Sequence, residues 1–100
     1  MDKEFLDAIT KILSDFASAR FSSQVLELVG PVQKDTSYRW RLMSTRFKEV
    51  TVLLTTKNHF FGKPSAEHFE VYGLSLTKKL GPTLDELRSF LESSELAPAG

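Results

Sequence analysis

Residues 37–56, SYRWRLMSTRFKEVTVLLTT, decide the fold. Tyr38, Trp40 and Leu42 alternate with Arg39, Arg41 and Met43, and after a polar break Val50, Val52 and Leu54 alternate with Glu49, Thr51 and Thr55. Period-two patterning with aromatic and β-branched residues marks strands that bury one face, so the stretch reads as a β-hairpin with its rings on the core side and its arginines on the other. Arg46-Phe47 in the connection lacks the Asn-Gly or Asp-Gly pair of the tightest turns, which predicts a bulge or a longer loop between the strands.

Upstream, Phe5, Leu6, Ile9, Ile12, Leu13 and Phe16 recur at helical spacing from Asp2 to about Ala19. Acidic residues in the first turns and Arg20 near the end suit the helix dipole. The polar face is not rich in Lys and Arg, so the apolar stripe is expected to pack on a core rather than on a membrane surface. Residues 22–29 read as a short strand with Leu26 and Leu28 on one face and Glu27 on the other, ended by Gly30-Pro31 because proline cannot donate to a ladder. Residues 30–36 then form a polar turn into the hairpin.

Downstream, residues 57–66, KNHFFGKPSA, are a loop by their Asn, Gly and Pro content. Two adjacent rings cannot both enter a strand-type core, so at least one of Phe60 and Phe61 is expected at the surface; the plainer alternative has one capping the core and the other lying on the loop's own backbone. Residues 67–76 return to alternation as a fourth strand, with Phe69 and Val71 opposite His68, Glu70 and Tyr72. Lys78-Lys79 and Gly81-Pro82 lead into Thr83-Leu84-Asp85-Glu86, the pattern of a capping box, and Leu84, Leu87, Phe90 and Leu91 give the second helix its buried stripe.

The expected fold is therefore α+β: a four-stranded antiparallel meander with an N-terminal and a C-terminal helix packed on one face, in the order α-β-β-β-β-α. One domain spans residues 1–94, and residues 95–100 read as a disordered tail. The 100 residues, 41% hydrophobic and 26% charged, suit one globular domain. There are no cysteines, which excludes disulfides, thiolate metal sites and cysteine nucleophiles. No apolar run approaches a membrane span and the first residues lack signal-peptide order, so a cytoplasmic protein is expected.

Net charge is zero but unevenly distributed. Residues 1–32 carry three basic and five acidic groups, residues 33–63 seven and two, and residues 64–100 three and six. Arg39, Arg41, Arg46, Lys48, Lys57, His59 and Lys63, interleaved with Phe60 and Phe61, form the candidate partner-binding set. The expected role is a small non-catalytic protein-binding module, an adaptor, inhibitor or immunity-type protein. Binding of RNA or single-stranded DNA through the basic hairpin is the alternative, since cations beside rings are the ingredients of single-strand recognition. Edge strands and an open sheet face also allow a homodimer.

Enzymatic patterns are thin, and neither catalysis, cofactor nor metal is expected. His68 and Glu70 share a strand face, but a third metal ligand would have to come from His59 or Asp35. Tyr72 and Ser75 read as ordinary strand residues, and the five glycines are too scattered for a phosphate loop. The order helix, strands, helix, with Lys78-Lys79 before the last helix, resembles the double-stranded-RNA-binding domain. Gly81-Pro82-Thr83 separates the lysines from the helix start and that family's glycine-rich loop is absent, so the identification is not adopted. In topology alone, the helix and meander are also similar to cystatin-like and secretion-chaperone-like architectures, and architecture does not carry function.

Overall fold

A computed structural model describes residues 2–21, 25–44, 49–73 and 76–93. The elements run α1 (Lys3–Phe21), β1 (Val25–Lys34), β2 (Ser37–Ser44), β3 (Val50–Lys57), β4 (Ser65–Gly73), β5 (Leu76–Leu80) and α2 (Leu84–Glu92). The strands form one antiparallel sheet in sequence order, β1-β2-β3-β4-β5. The α+β class is as expected, but the sheet has five strands rather than four.

The added strand is LTKKL, whose Lys78-Lys79 reads by charge as a linker. It pairs along β4, Phe69 with Leu80 and Tyr72 with Thr77, so Thr77 and Lys79 share the face of Tyr72 and Glu70. A short strand with exposed lysines is what a sheet edge tolerates, because charge there discourages further pairing.

A second correction concerns β1, which does not stop at Gly30-Pro31 but continues to Lys34. Val29 pairs with Arg41 and Val32 with Arg39, leaving Gly30 and Pro31 together opposite Trp40. The ladder absorbs them as a bulge, which an edge strand accommodates. Gly30 has φ +133°, and a Cβ there would lie 2.6 Å from the Arg39 carbonyl oxygen and 2.9 Å from Trp40 Cα. Only glycine lets the β1 backbone pass this close over Trp40. The turn to β2 is then only Asp35-Thr36, with Asp35 at φ 53°.

The alternation in β2 and β3 is as read from the sequence. Tyr38, Trp40 and Leu42 are buried with Val50, Val52 and Leu54, and Phe69 and Val71 of β4 join them. Ile9, Ile12, Leu13, Phe16 and Ala17 of α1 and Leu87, Phe90 and Leu91 of α2 complete one core. Leu28 packs at its margin, while the Leu26 side chain lies outside those described. Fully burying a side chain of this size is worth about 1.5–3 kcal/mol, and Trp40 and Phe69 are the largest of the fully buried side chains.

Polar contacts fix the orientation of the helices. Trp40 Nε1 donates to Thr10 Oγ1 at 2.9 Å, and the Thr10 hydroxyl donates to the Leu6 carbonyl at 3.1 Å, tying the central ring to α1. The capping box of α2 is present: Glu86 N donates to Thr83 Oγ1 and Thr83 N to Glu86 Oε2, each at 3.2 Å. Residues 94–100, including the expected tail, lie outside the described residues.

Candidate functional site

The candidate set divides into three groups. Arg39 and Arg41 project from β2 onto the sheet face opposite the core, as their alternation with Tyr38 and Trp40 requires. Lys57, His59, Phe60, Phe61 and Lys63 belong to the end of the sheet where β3 passes to β4. Arg46 and Lys48 lie outside the described residues. β2 ends at Ser44 and β3 begins at Val50.

The loop end is firmly based. Thr56 N and Oγ1 both donate to the Thr36 carbonyl, at 2.8 and 2.7 Å, tying the β1–β2 turn to the last residues of β3. Thr55 pairs with His68 and Thr56 with Ala66, so Glu67 is a bulge that turns β4 as it leaves the loop. His59 Nε2 and Ser65 Oγ are 2.7 Å apart and close the loop across its neck. Gly62 at φ +98° makes the bend.

Above this base Phe60 is 94% and Phe61 85% exposed, and the two rings meet edge to face with centroids 4.8 Å apart. Neither caps the core, which disposes of the plainer alternative. Lys57 and Lys63 are exposed on either side.

On the open face the two arginines differ. Arg41 Nε donates to Glu49 Oε1, an ion pair that raises the guanidinium pKa and holds the Glu49 carboxyl below its usual range, chiefly through that hydrogen bond. Arg39 is exposed, with no hydrogen bond or ion pair among the described residues. Beside it, Val32, Lys34, Ser37 and Leu53 line an open concavity of about 510 Å³ near the β1–β2 turn.

On β4 the same face carries a contact that the sequence reading missed. Tyr72 Oη donates to Glu70 Oε2, and His68 Nε2 donates to Glu70 Oε1 at 2.8 Å, since an ionised carboxylate only accepts. Glu70 is held below the ordinary carboxyl range, first by Tyr72 and then by His68, and Tyr72 is raised by Glu70. The available signal was the spacing of two along one strand, which puts all three side chains in a line. Among the described residues no group of three or more His, Cys, Asp or Glu side chains comes together to hold a metal.

Lys78 and Lys79 stand in β5 rather than at the start of α2, which separates the chain further from the arrangement of the double-stranded-RNA-binding domain. No helix among the described residues is long and apolar enough to cross a membrane. No protein-family model, curated protein or solved structure matches the chain.

Proposed function

We propose that the chain is a non-catalytic binding module that engages another protein through the Phe60–Phe61 loop. The observation that carries this reading is the exposure of both rings, at 94% and 85%. Each ring left in water forgoes about 1.5–3 kcal/mol of burial energy, a large sum against a total stability of about 5–15 kcal/mol. Aromatic side chains on a braced loop are the usual anchors of protein interfaces, and the edge-to-face pair presents them in a fixed arrangement that costs little to order on binding. Exposed Lys57 and Lys63 beside the rings favour a partner whose apolar pocket is rimmed by acidic groups.

The nucleic-acid alternative is the less supported. One of its cations, Arg41, is already taken by Glu49.

The test is a pull-down from host lysate comparing wild type with F60A/F61A, with and without nuclease and at two salt concentrations. The expected result is a stoichiometric protein that survives nuclease and is lost by the double variant, at about 1–3 kcal/mol per ring, with the melting temperature unchanged. Nucleic acid recovered by both forms and released by salt would refute the reading in favour of the basic surface.

A further inference from the structure

The sheet face opposite the helices is open, and its register has a symmetry of its own. Along β3 it carries Thr51, Leu53 and Thr55; Leu53 stands between Arg39 on β2 and Glu70 on β4. One step toward the loop end, Thr55 stands between Ser37 and His68. A two-fold axis running along β3, midway between two facing sheets, keeps height along the strand and exchanges left for right. It sets Leu53 over Leu53 and brings Arg39 of each copy over Glu70 of the other. An axis across the strands through Leu53 would instead stack Arg39 on Arg39 and Glu70 on Glu70, so charge selects the first arrangement.

We propose that this face pairs with the same face of a second copy of the chain, about a two-fold axis along β3, with reciprocal Arg39–Glu70 ion pairs on either side of Leu53. The two charges are suited to it. Arg39 is exposed and makes no hydrogen bond or close ion pair among the described residues; it feels Glu49 only through space, as one of the charges that lower the Glu49 pKa. Each Glu70 oxygen accepts one intrachain hydrogen bond and keeps a lone pair for an incoming guanidinium. Between them the face is partly apolar: Leu53, Val29 and Met43 are half-buried in the single chain and Val32 is 43% exposed. At the ~10 Å separation of packed sheets, an arginine and a glutamate together span the gap.

Four inter-strand spacings of ~4.8 Å and about four residue rises of ~3.3 Å give roughly 250 Å² of flat face, or on the order of twice that per copy once side chains are included. This is below the standard size of specific interfaces, so the dimer is weak and reversible. The surface is distinct from the Phe60–Phe61 loop, and the proposal does not rest on the reading of that loop.

The test is sedimentation velocity of the full chain from about 1 μM to 1 mM, at low salt where surface ion pairs are least screened. The expected result is a concentration-dependent monomer–dimer equilibrium that R39E and E70R each weaken about tenfold or more. The combined R39E/E70R variant should associate more tightly than either single variant, because the exchanged charges again face each other; the recovery is partial, since E70R loses the Tyr72 and His68 hydrogen bonds and sets its cation beside Lys79. R39E alters an exposed side chain that makes no intrachain hydrogen bond, and R39Q, which removes the charge without setting a second carboxylate near Glu49, should weaken association in the same direction with the urea midpoint held. A second readout uses the lack of natural cysteine: L53C treated with a short bis-maleimide should cross-link copy to copy well above S14C, a control on the exposed face of α1. A monomer at every concentration, single variants that associate like wild type, a double variant no better than the singles, or equal cross-linking of L53C and S14C would each overturn the proposal.

Discussion

Replacing Gly30 with alanine tests the close pass of β1 over Trp40. Two costs add. The residue sits at φ +133°, where an L side chain is strained whatever the space around it, at about 1–3 kcal/mol. The new Cβ would also lie 2.6 Å from the Arg39 carbonyl oxygen and 2.9 Å from Trp40 Cα. Both are backbone atoms of a paired strand and cannot swing aside, so β1 must lift from β2, at about 1–3 kcal/mol more. Against this, alanine restricts the unfolded chain and returns about 0.4–1 kcal/mol. The net loss is about 1–5 kcal/mol, several degrees or more in Tm for a domain of this size. Gly62 is the control, because at φ +98° it carries the conformational cost with nothing within 4 Å of its built Cβ. Urea titration followed by fluorescence of Trp40, the single tryptophan and fully buried, reads both variants. The reasoning requires G30A to lose at least about 1 kcal/mol more than G62A at an unchanged m-value. Equal losses would show that the close pass over Trp40 has no energetic weight.

The remaining expectations follow the polar contacts. T10V keeps the shape of the side chain but leaves the buried Trp40 N–H without its acceptor, and should cost about 1–3 kcal/mol by the same titration. T83A removes the hydroxyl that accepts from Glu86 N, leaving the backbone half of the α2 capping box, and should cost about 1 kcal/mol, with helical circular dichroism lost first on heating. Glu49 and Glu70 have folded pKa values below their unfolded ones, so they contribute stability above the unfolded carboxyl range that is lost as pH falls through the folded values. Urea titrations from pH 7 to 3 should show that decline, and E49Q/E70Q should flatten it; an unchanged slope would refute the assignment.

How much of this was legible depended on whether the local pattern and the tertiary demand agreed. In β2 and β3 they did: the alternation of Tyr38-Arg39-Trp40-Arg41-Leu42 leaves one register that buries the rings, and it fixes which face the arginines take. The capping box at Thr83 is a local signal read without tertiary information. At the sheet edges they did not. Gly30-Pro31 breaks a central strand by local rules, yet at an edge the bulge opposite Trp40 carries the strand past it. Lys78-Lys79 reads as a linker because half the apolar pattern of a normal strand is missing, and an edge strand needs only that half. In the candidate site, adjacency of Phe60 and Phe61 showed that one ring must be exposed. That both are exposed follows from the bulge at Glu67 and the His59–Ser65 contact, neither of which a linear reading supplies. The capture of Arg41 by Glu49 is a diagonal cross-strand contact that needs the register before it can be named.

The distribution of satisfied and unsatisfied groups separates the surfaces that stabilise the chain from those left for partners. On the β4 side of the open face, the carboxylate of Glu70 gathers Tyr72 and His68, and on the β2 side Glu49 takes Arg41; these groups have their partners within the chain. Arg39, Val32, Phe60 and Phe61 are exposed, and the two rings contact each other rather than the core. A side chain whose contacts lie inside the fold changes stability when removed, whereas one without such contacts changes only association. Substitutions at Glu49 and Thr10 should therefore move the urea midpoint, substitutions at Glu70 should move both the midpoint and sedimentation, and substitutions at Phe60 and Phe61 should move binding with the midpoint held. The sheet face around Leu53 and the loop at its end are then two separable binding surfaces on one scaffold, because the rings of Phe60 and Phe61 stand clear of the face that carries Arg39, Leu53 and Glu70.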